Sequence, residues 1–540
     1  MARLNRRNIP EGCVATELSV GDRVFISPDF FWARGATGTI SISPPEVTAI
    51  SGPWEGGLTR LENSALGEAT VYWVLSAKLS KPYSSAAVKN SLWTCNISDL
   101  QIVLCGRGST LDQLIQAGCR IKDLLLTKRT FPALVLGMGV FAIYAGALRA
   151  QKTQSRQSEN SLRVFSLPAA TLQELRGKIA SGRLKDPALE QLRKNADAAL
   201  IQKNLSVVDK SIDPPSGDKH DYMSLAPYWW PDLSKPKGLP YIRRDGQVNP
   251  QIEQVQDHKN MDRVISATYA LAFAYYFFDE EAYAAHATEL LRTWFLNPET
   301  RMKPNLEFAQ GVGGINTGRG TGLIETRDIY RLVDAIGLLR RSKSWTAVDQ
   351  KGMEEWCAKF LEWMMHSQNG KDEAAAKNNH GSYYDVQIAS LALFVGKPDI
   401  ARNILQSAGE RRIAIQIEPD GRQPLELERT KALGYSTMNL AGLFELGLLG
   451  ENVGVDLWNF RTADGRSIRQ ALDYLVPFAT GEQKWPYQQI IEFKAAEISP
   501  ALAVAAVKYK DRRYQDLAVK LDPDVLRRID VFPFRWAVSQ

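Results

Sequence analysis

Residues 377–394 read KNNHGSYYDVQIASLALF. Polar residues at 377–380 run directly into a stretch whose apolar side chains recur at the i, i+3, i+4 spacing of a helix. The junction is therefore the start of a helix. Amide and imidazole groups gathered there face the free backbone N–H groups and positive dipole end of that helix, the arrangement that receives an anion. The plainer use of the same residues is an Asn N-cap beside a structural His.

Outward from this junction the helical spacing repeats. It recurs at 171–179, 187–201, 261–278, 282–295, 324–339, 352–365, 384–394, 398–407, 431–449, 467–478 and 499–509. Helices arrive in pairs joined by short connections, with no strict short repeat to suggest an open solenoid. The fold class this predicts for residues 165–540 is mainly α, with helical hairpins closing into a toroid, an α/α barrel. Three long connections, 213–249, 297–322 and 372–381, exceed ordinary loop lengths, and loops of that size usually carry function.

The first part of the chain is different. Residues 1–127 predict a small β-rich domain, with strands at 23–27, 37–43, 47–51 and 70–76 between Gly and Pro turns. Its segment VGDRVFISPDFFWARGATGTI resembles the opening of small SH3-like barrels. Residues 131–148, FPALVLGMGVFAIYAGAL, carry no charge. They have the length of a marginal membrane span and the composition of a signal peptide. We take 128–150 as this signal or single anchor and 151–164 as a polar linker. Lys and Arg balance on its two flanks (Arg120, Lys122, Lys128 and Arg129 against Arg149, Lys152, Arg156 and Arg163), so charge sets no orientation. The arrangement predicts a periplasmic or secreted catalytic part. Residues 1–127 then form either a separate domain ahead of the anchor or a fused or mis-started frame.

Composition narrows the chemistry. At 540 residues the chain is long enough for two domains, and 44% apolar residues supply an ample core. A net charge of +6 is mild, and no Lys/Arg run of the nucleic-acid type occurs, which excludes a nucleic-acid partner. The cysteines are Cys13, Cys95, Cys105, Cys119 and Cys357. None forms a zinc-type cluster with His, so neither metal nor other cofactor is expected. Cys357 reads as a small buried hydrophobe.

The block NNHGSYYDVQ (378–387) resembles the Asn-Asn-His-Ser-Tyr block of the alginate lyase superfamily. The likeness continues through DKHDYMSLAPYWWPD (218–232), YIRRDGQVNP (241–250), NLEFAQG and GRGTGLIETR within 305–327, ELERTKALGYSTMNL (426–440) and EQKWPYQQI (482–490). Each block is weak by itself, whereas the ordered set is specific. The resemblance is strongest to the bacterial branch that acts on alginate and glucuronan. It implies an α/α barrel that needs no metal and cleaves a 4-linked uronate polymer, an anionic polysaccharide, by β-elimination.

By the same resemblance, Asn379 neutralises the substrate carboxylate and His380 is a general base or a second neutralising donor. Tyr435 protonates the leaving O4 and can also abstract the proton, and Arg429 pairs with a carboxylate. Arg429 and Tyr435 are six residues apart, roughly 120° around a regular helix, so they share a site only if Arg429 precedes the helix. His220, Tyr222, Tyr228, Trp229 and Trp230 suit stacking on sugar faces. Arg243, Arg244, Arg319 and Arg327 suit carboxylates at flanking subsites, and Asn305 and Gln310 suit hydrogen bonds to substrate. Trp485 and Tyr487 read as packing, and His258, His286 and His366 receive no role. Two other readings remain. A glycoside hydrolase would draw its acid pair from Asp221, Glu325 and Glu426, and a uronan-binding surface protein would need no catalyst at all.

Overall fold

The computed structural model describes residues 162–539 and, ahead of them, six strand segments. The chain divides into two compact units, Met1–Ser158 and Glu159–Gln540. In the first, β1 (Gly21–Phe25) pairs antiparallel with β2 (Trp32–Ala36), β3 (Leu58–Asn63) with β4 (Thr70–Leu75), and β5 (Leu92–Trp93) with β6 (Val103–Leu104). The strands expected at 23–27 and 70–76 overlap β1 and β4. Those expected at 37–43 and 47–51 lie outside the described residues, as does the apolar segment 131–148. Among the described residues no helix is long and apolar enough to cross a membrane.

The second unit is helical. α1 (Ala169–Ala180) is followed by α2 (Pro187–Leu200), which starts sharply because Asp186 caps Ala188 N–H and proline occupies the first turn. α3 (Asp257–Phe278) and α4 (Glu281–Leu291) form a hairpin around Asp279, which adopts the left-handed conformation that ends a helix. Then come α5 (Ile329–Leu339), α6 (Ala347–His366) behind a Thr346/Asp349 capping box, and α7 (Gln368–Ala374). α8 (Asn379–Phe394), α9 (Pro398–Ala408), α10 (Ala432–Glu451) and α11 (Ile468–Ala479) follow. α12 (Ser499–Lys508), α13 (Arg512–Leu521) and α14 (Phe532–Ser539) complete the chain.

Sequence pattern sorts these helices into two tiers. α3, α5, α8 and α10 are buried round most of their circumference, whereas α9 and α13 bury a single stripe, Ala401, Leu405 and Ala408 in one and Tyr514 and Ala518 in the other. A helix that is apolar all round must be covered on every side, and a striped one covers it. The inner helices touch in a closed circuit: α3 packs on α5, α5 on α8, α8 on α10, α10 on α12, α12 on α14, α14 on α1, and α1 on α3. Helices α2 and α4 back onto α3, α6 and α9 onto α8, α11 onto α10, and α13 onto α12. One hydrophobic cluster runs from Val164 to Phe534. The circuit is tied shut by Arg535 on the α2 cap Asp186 (2.6 Å) and by Phe532 against Phe277.

The helix expected at 282–295 gives way after Leu291 to a π-helical turn, Arg292–Leu296, and the one expected from 324 begins with a 3-10 turn, Gly320–Thr326. α7, α13 and α14 were not expected. The long connections are real but partly ordered. Between α2 and α3 lie β7 (Met223–Leu225), β8 (Trp229–Trp230) and β9 (Ile242–Arg243). β8 and β9 pair as a hairpin, and β7 pairs in parallel with β10 (Phe308–Gly311) of the α4–α5 connection. The connection expected at 372–381 is shorter than its sequence suggests, because α7 fills its start and Asn379 already belongs to α8.

Candidate active site

The Asn-His pair forms the first turn of α8, and the fold fixes that turn from behind. A π-helical turn, Gly409–Ile413, carries Arg411 and Arg412 to Asp385, which is fully buried. Arg412 also donates to the carbonyls of Ala374 and Ala376, just upstream of the pair (2.9 and 2.5 Å). Gly381 leaves room for this guanidinium: a Cβ there would lie 2.1 Å from both Ala376 O and Arg412 Nη1.

On this base Asn379 donates its backbone N–H to Glu426 Oε1 (2.7 Å) and its amide to both Glu426 oxygens (2.9 and 2.7 Å). His380 Nδ1 lies 2.6 Å from Glu373 Oε1, and Glu373 is buried. A carboxylate partner holds the proton on Nδ1, which leaves the Nε2 lone pair open. Tyr435, in the first turn of α10, shares a 2.8 Å hydroxyl–hydroxyl hydrogen bond with Tyr228. Burial raises its phenol well above the ordinary value and Tyr228 adds to this, while Arg429 opposes. Arg429 precedes α10, as a shared site requires, and its guanidinium stacks 3.8 Å from the Tyr435 ring centre. The carboxylate it meets belongs to the protein: Asp245 Oδ1, at 2.8 Å. Burial pushes the Asp245 carboxyl up, but hydrogen bonds from Arg429 and Thr430 outweigh it and leave it well below the usual carboxylate range.

Asn379, His380, Tyr228, Arg429 and Tyr435 line a cleft of about 620 Å³. Of the residues given a catalytic or binding role by sequence, Asn379, His380, Tyr435, Arg429, Tyr228, Trp229, Arg243, Gln310, Arg319 and Arg327 line it. Arg319 Nη2 donates to Gln310 Oε1 (2.8 Å), its guanidinium lies over Trp229, and its Nε is buried without a partner. Gln310 holds that pose from a left-handed backbone (φ 51°), unusual for a residue with a side chain, with its N–H on Ser224 Oγ (2.7 Å).

Five expected contacts fall elsewhere. Tyr222 is buried in the core with its hydroxyl on Glu325 Oε2 (2.7 Å), so it cannot stack on a sugar. His220 bonds through Nδ1 to the Arg301 carbonyl (2.7 Å). Trp230 points its Nε1–H at the Gln247 carbonyl (3.0 Å) under the Arg244 guanidinium, and neither lines the cleft. Asn305 accepts from Glu307 N–H (3.1 Å) in a local turn. Conversely, sequence gave no signal for Glu373, placed Tyr228 only among loop aromatics, and set aside His258, which lines the cleft 3.8 Å from Glu325. Trp485 packs against Phe478 and Cys357 is buried, both as expected.

The acid candidates for hydrolysis do not face one another across the cleft. Asp221 pairs with Lys303 (3.0 Å) away from it, and Glu426 lies beneath Asn379; Glu325 alone of the three lines the wall. Among the described residues no group of three or more His, Cys, Asp or Glu side chains could hold a metal ion.

Residues 206–485 match the family model described as alginate lyase. An alginate lyase from Bacteroides ovatus of known crystal structure is 39% identical, over 69% of this chain and 99% of that one, with a TM-score of 0.66. Alginate lyase A1-III from Sphingomonas species A1 is 14% identical, over 63% and 86% of the two chains, with a TM-score of 0.40. No curated protein matches the chain. On the family match and the 39% identity together, this chain belongs to the alginate lyase family and is a polysaccharide lyase.

Proposed function

We propose that the cleft cleaves alginate by β-elimination, breaking the bond to O4 of a uronate and leaving a 4,5-unsaturated sugar at the new end. The observation that carries this reading is the convergence of Asn379, His380 and Tyr435 on one cleft, although Tyr435 is far from the other two in sequence. The proton on C5 of a uronate is too weakly acidic to remove unless the neighbouring carboxylate is neutralised where the enolate charge develops. Asn379 and the N-terminal end of α8 are the groups placed for that task.

The two proton-transfer groups divide by their surroundings. His380 presents an open Nε2 and suits the base; Tyr435, held neutral by burial, suits the acid that delivers a proton to O4. In L-guluronate, H5 and O4 leave from opposite faces, which matches this division. In D-mannuronate and D-glucuronate they leave from one face, and Tyr435 then serves both steps, its phenolate supported by Arg429 and by Lys431 near Tyr228. Glucuronan is the second substrate of the same stereochemical class. Arg319 makes no ion pair among the described residues and is the guanidinium best placed for a flanking uronate carboxylate. The closed circuit of inner helices supports an α/α barrel for residues 165–540. An extracellular polymer as substrate favours residues 131–148 as an export signal or anchor.

The test is ultraviolet absorbance of the conjugated product on alginate, polymannuronate, polyguluronate and glucuronan. Reducing ends without that chromophore would make the enzyme a hydrolase, and binding without either would make it a carrier. In H380A the rate on polyguluronate should fall much further than that on polymannuronate. Equal losses on both would remove the division of roles.

A further inference from the structure

Glu426 is a buried acid with no cation committed to it. It is 1% exposed, and among the described residues its carboxylate accepts hydrogen bonds from Asn379 alone. Two nitrogen-bearing side chains face it, the Arg429 guanidinium from its own segment and the His380 imidazole from α8. Both are engaged elsewhere, Arg429 by Asp245 and His380 by Glu373. Asn379 in turn gives its whole amide group to Glu426, and its Oδ1 is buried without a partner although the residue lines the cleft. This polarity is the reverse of what a uronate needs. A substrate carboxylate arriving beside Asn379 would find no amide donor, and it would sit close to a second, buried negative charge.

We infer that Glu426 takes up one proton from solvent when a uronate binds, and that the Asn379 carboxamide turns by half a rotation in response. Glu426 thereby acts as a positioning residue, and this inference rests on the elimination reading above. The planar amide occupies the same space in either orientation. In the turned state one Glu426 oxygen still accepts from Asn379 N–H, while the other, now a hydroxyl, donates to Asn379 Oδ1. The amide hydrogens are freed toward the substrate carboxylate, and no polar atom of the pair lacks a partner. The charges balance as well: the incoming anion is matched by the proton, which returns to solvent when the product leaves. Burial already raises the Glu426 carboxyl above its ordinary value, against the hydrogen bonds from Asn379 and the charge of Arg429. A second carboxylate nearby raises it further.

Glu426→Gln mimics the protonated acid, because its amide accepts from Asn379 N–H and donates to Oδ1 permanently. The experiment is calorimetric binding of a saturated alginate hexasaccharide to full-length Y435F in two buffers of different ionisation enthalpy. Y435F should take up about one proton per ligand at a pH where Glu426 is otherwise ionised, and Y435F/E426Q should take up none. In steady-state kinetics on alginate, KM of the wild type should rise roughly tenfold per pH unit above that titration. E426Q should turn over with a KM that does not rise, whereas E426A should lose turnover. Proton uptake that persists in Y435F/E426Q would belong to another group and overturn the inference, as would an E426Q enzyme no better than E426A. Failure of the elimination reading shows separately, as absence of unsaturated product from the wild type, since the proton count is read on binding alone.

Discussion

Tyr435 keeps its proton because burial and the Tyr228 hydroxyl both disfavour the phenolate. In the proposed elimination this neutral phenol is the general acid, a role worth about 10²–10⁴ in rate. Y435F should therefore lose about that factor in kcat while its melting temperature stays close to that of the wild type. Initial rates and thermal denaturation check this, and a variant keeping a tenth of the rate would take Tyr435 out of the chemistry. Arg319 makes a complementary case. Its guanidinium is braced by Gln310 and Trp229 and forms no ion pair among the described residues. A hydrogen bond to a charged group is worth about 1.5–3 kcal/mol, so R319A should raise KM roughly 10- to 100-fold with a smaller change in kcat. At this scale the sequence was legible where chemistry is contiguous: Asn379 and His380 announce themselves as a pair at a helix start. Glu373 and Glu426 did not, because a carboxylate becomes an orienting group only when the fold buries it beside its partner. Tyr222 was misread for the same reason, since an aromatic residue in a motif does not declare whether it faces sugar or core.

Helix α8 bears the site, and Gly381 is the point where it is least replaceable. Alanine in a helix interior is worth about 1 kcal/mol over glycine, so propensity alone favours G381A. The missing side chain, however, is what admits the Arg412 guanidinium and the Ala376 carbonyl, each 2.1 Å from where a Cβ would stand. Forcing bulk into a packed site costs about 1–3 kcal/mol. The clash wins, and G381A should melt below the wild type and lose activity through displaced Asn379 and His380. An unchanged melting temperature would mean that the Arg412 clasp yields freely. Most elements were readable from helical spacing, whereas caps such as Asp186 and Ser467 are seen only in the fold. The short helices α7, α13 and α14 were not, because two or three turns give the period too few repeats. Neither π-helical turn could be foreseen, since bonds made across the fold, such as Arg412 to Asp385, decide them.

At the scale of the whole molecule, the core contains acids that the cleft does not use. Burial pushes the Asp334 carboxyl up to about 7 against hydrogen bonds from Phe165 and Ser166 N–H, and pushes Glu445 up to about 8. Unfolded carboxyls titrate near pH 4, so between there and pH 8 the folded chain holds protons that the unfolded chain has released. Stability contributed by these groups is full at the acid end of that window and is lost as pH rises through 7 and 8. The melting temperature should accordingly fall from about pH 5 to about pH 8 and level off above it, and E445Q should flatten the decline. The second unit has its own core, from Val164 onward, so a protein beginning near Gln151 should fold and cleave as full-length material does. A truncated form folded by circular dichroism yet inactive would give the first unit a part in the cleft. The change from strand to helix pattern is what suggested two parts in the sequence, but closure of the ring is a relation between distant segments that no local pattern encodes. That closure bears on how the chain is made. α14 meets α1, and Arg535 meets Asp186, only after residues 532–539 have left the ribosome. Until then α3 offers Phe277 with no Phe532 to cover it. A nonsense mutation just before α14 would spare every residue of the cleft and still abolish the enzyme, by leaving a sticky, unfinished ring for proteases to clear.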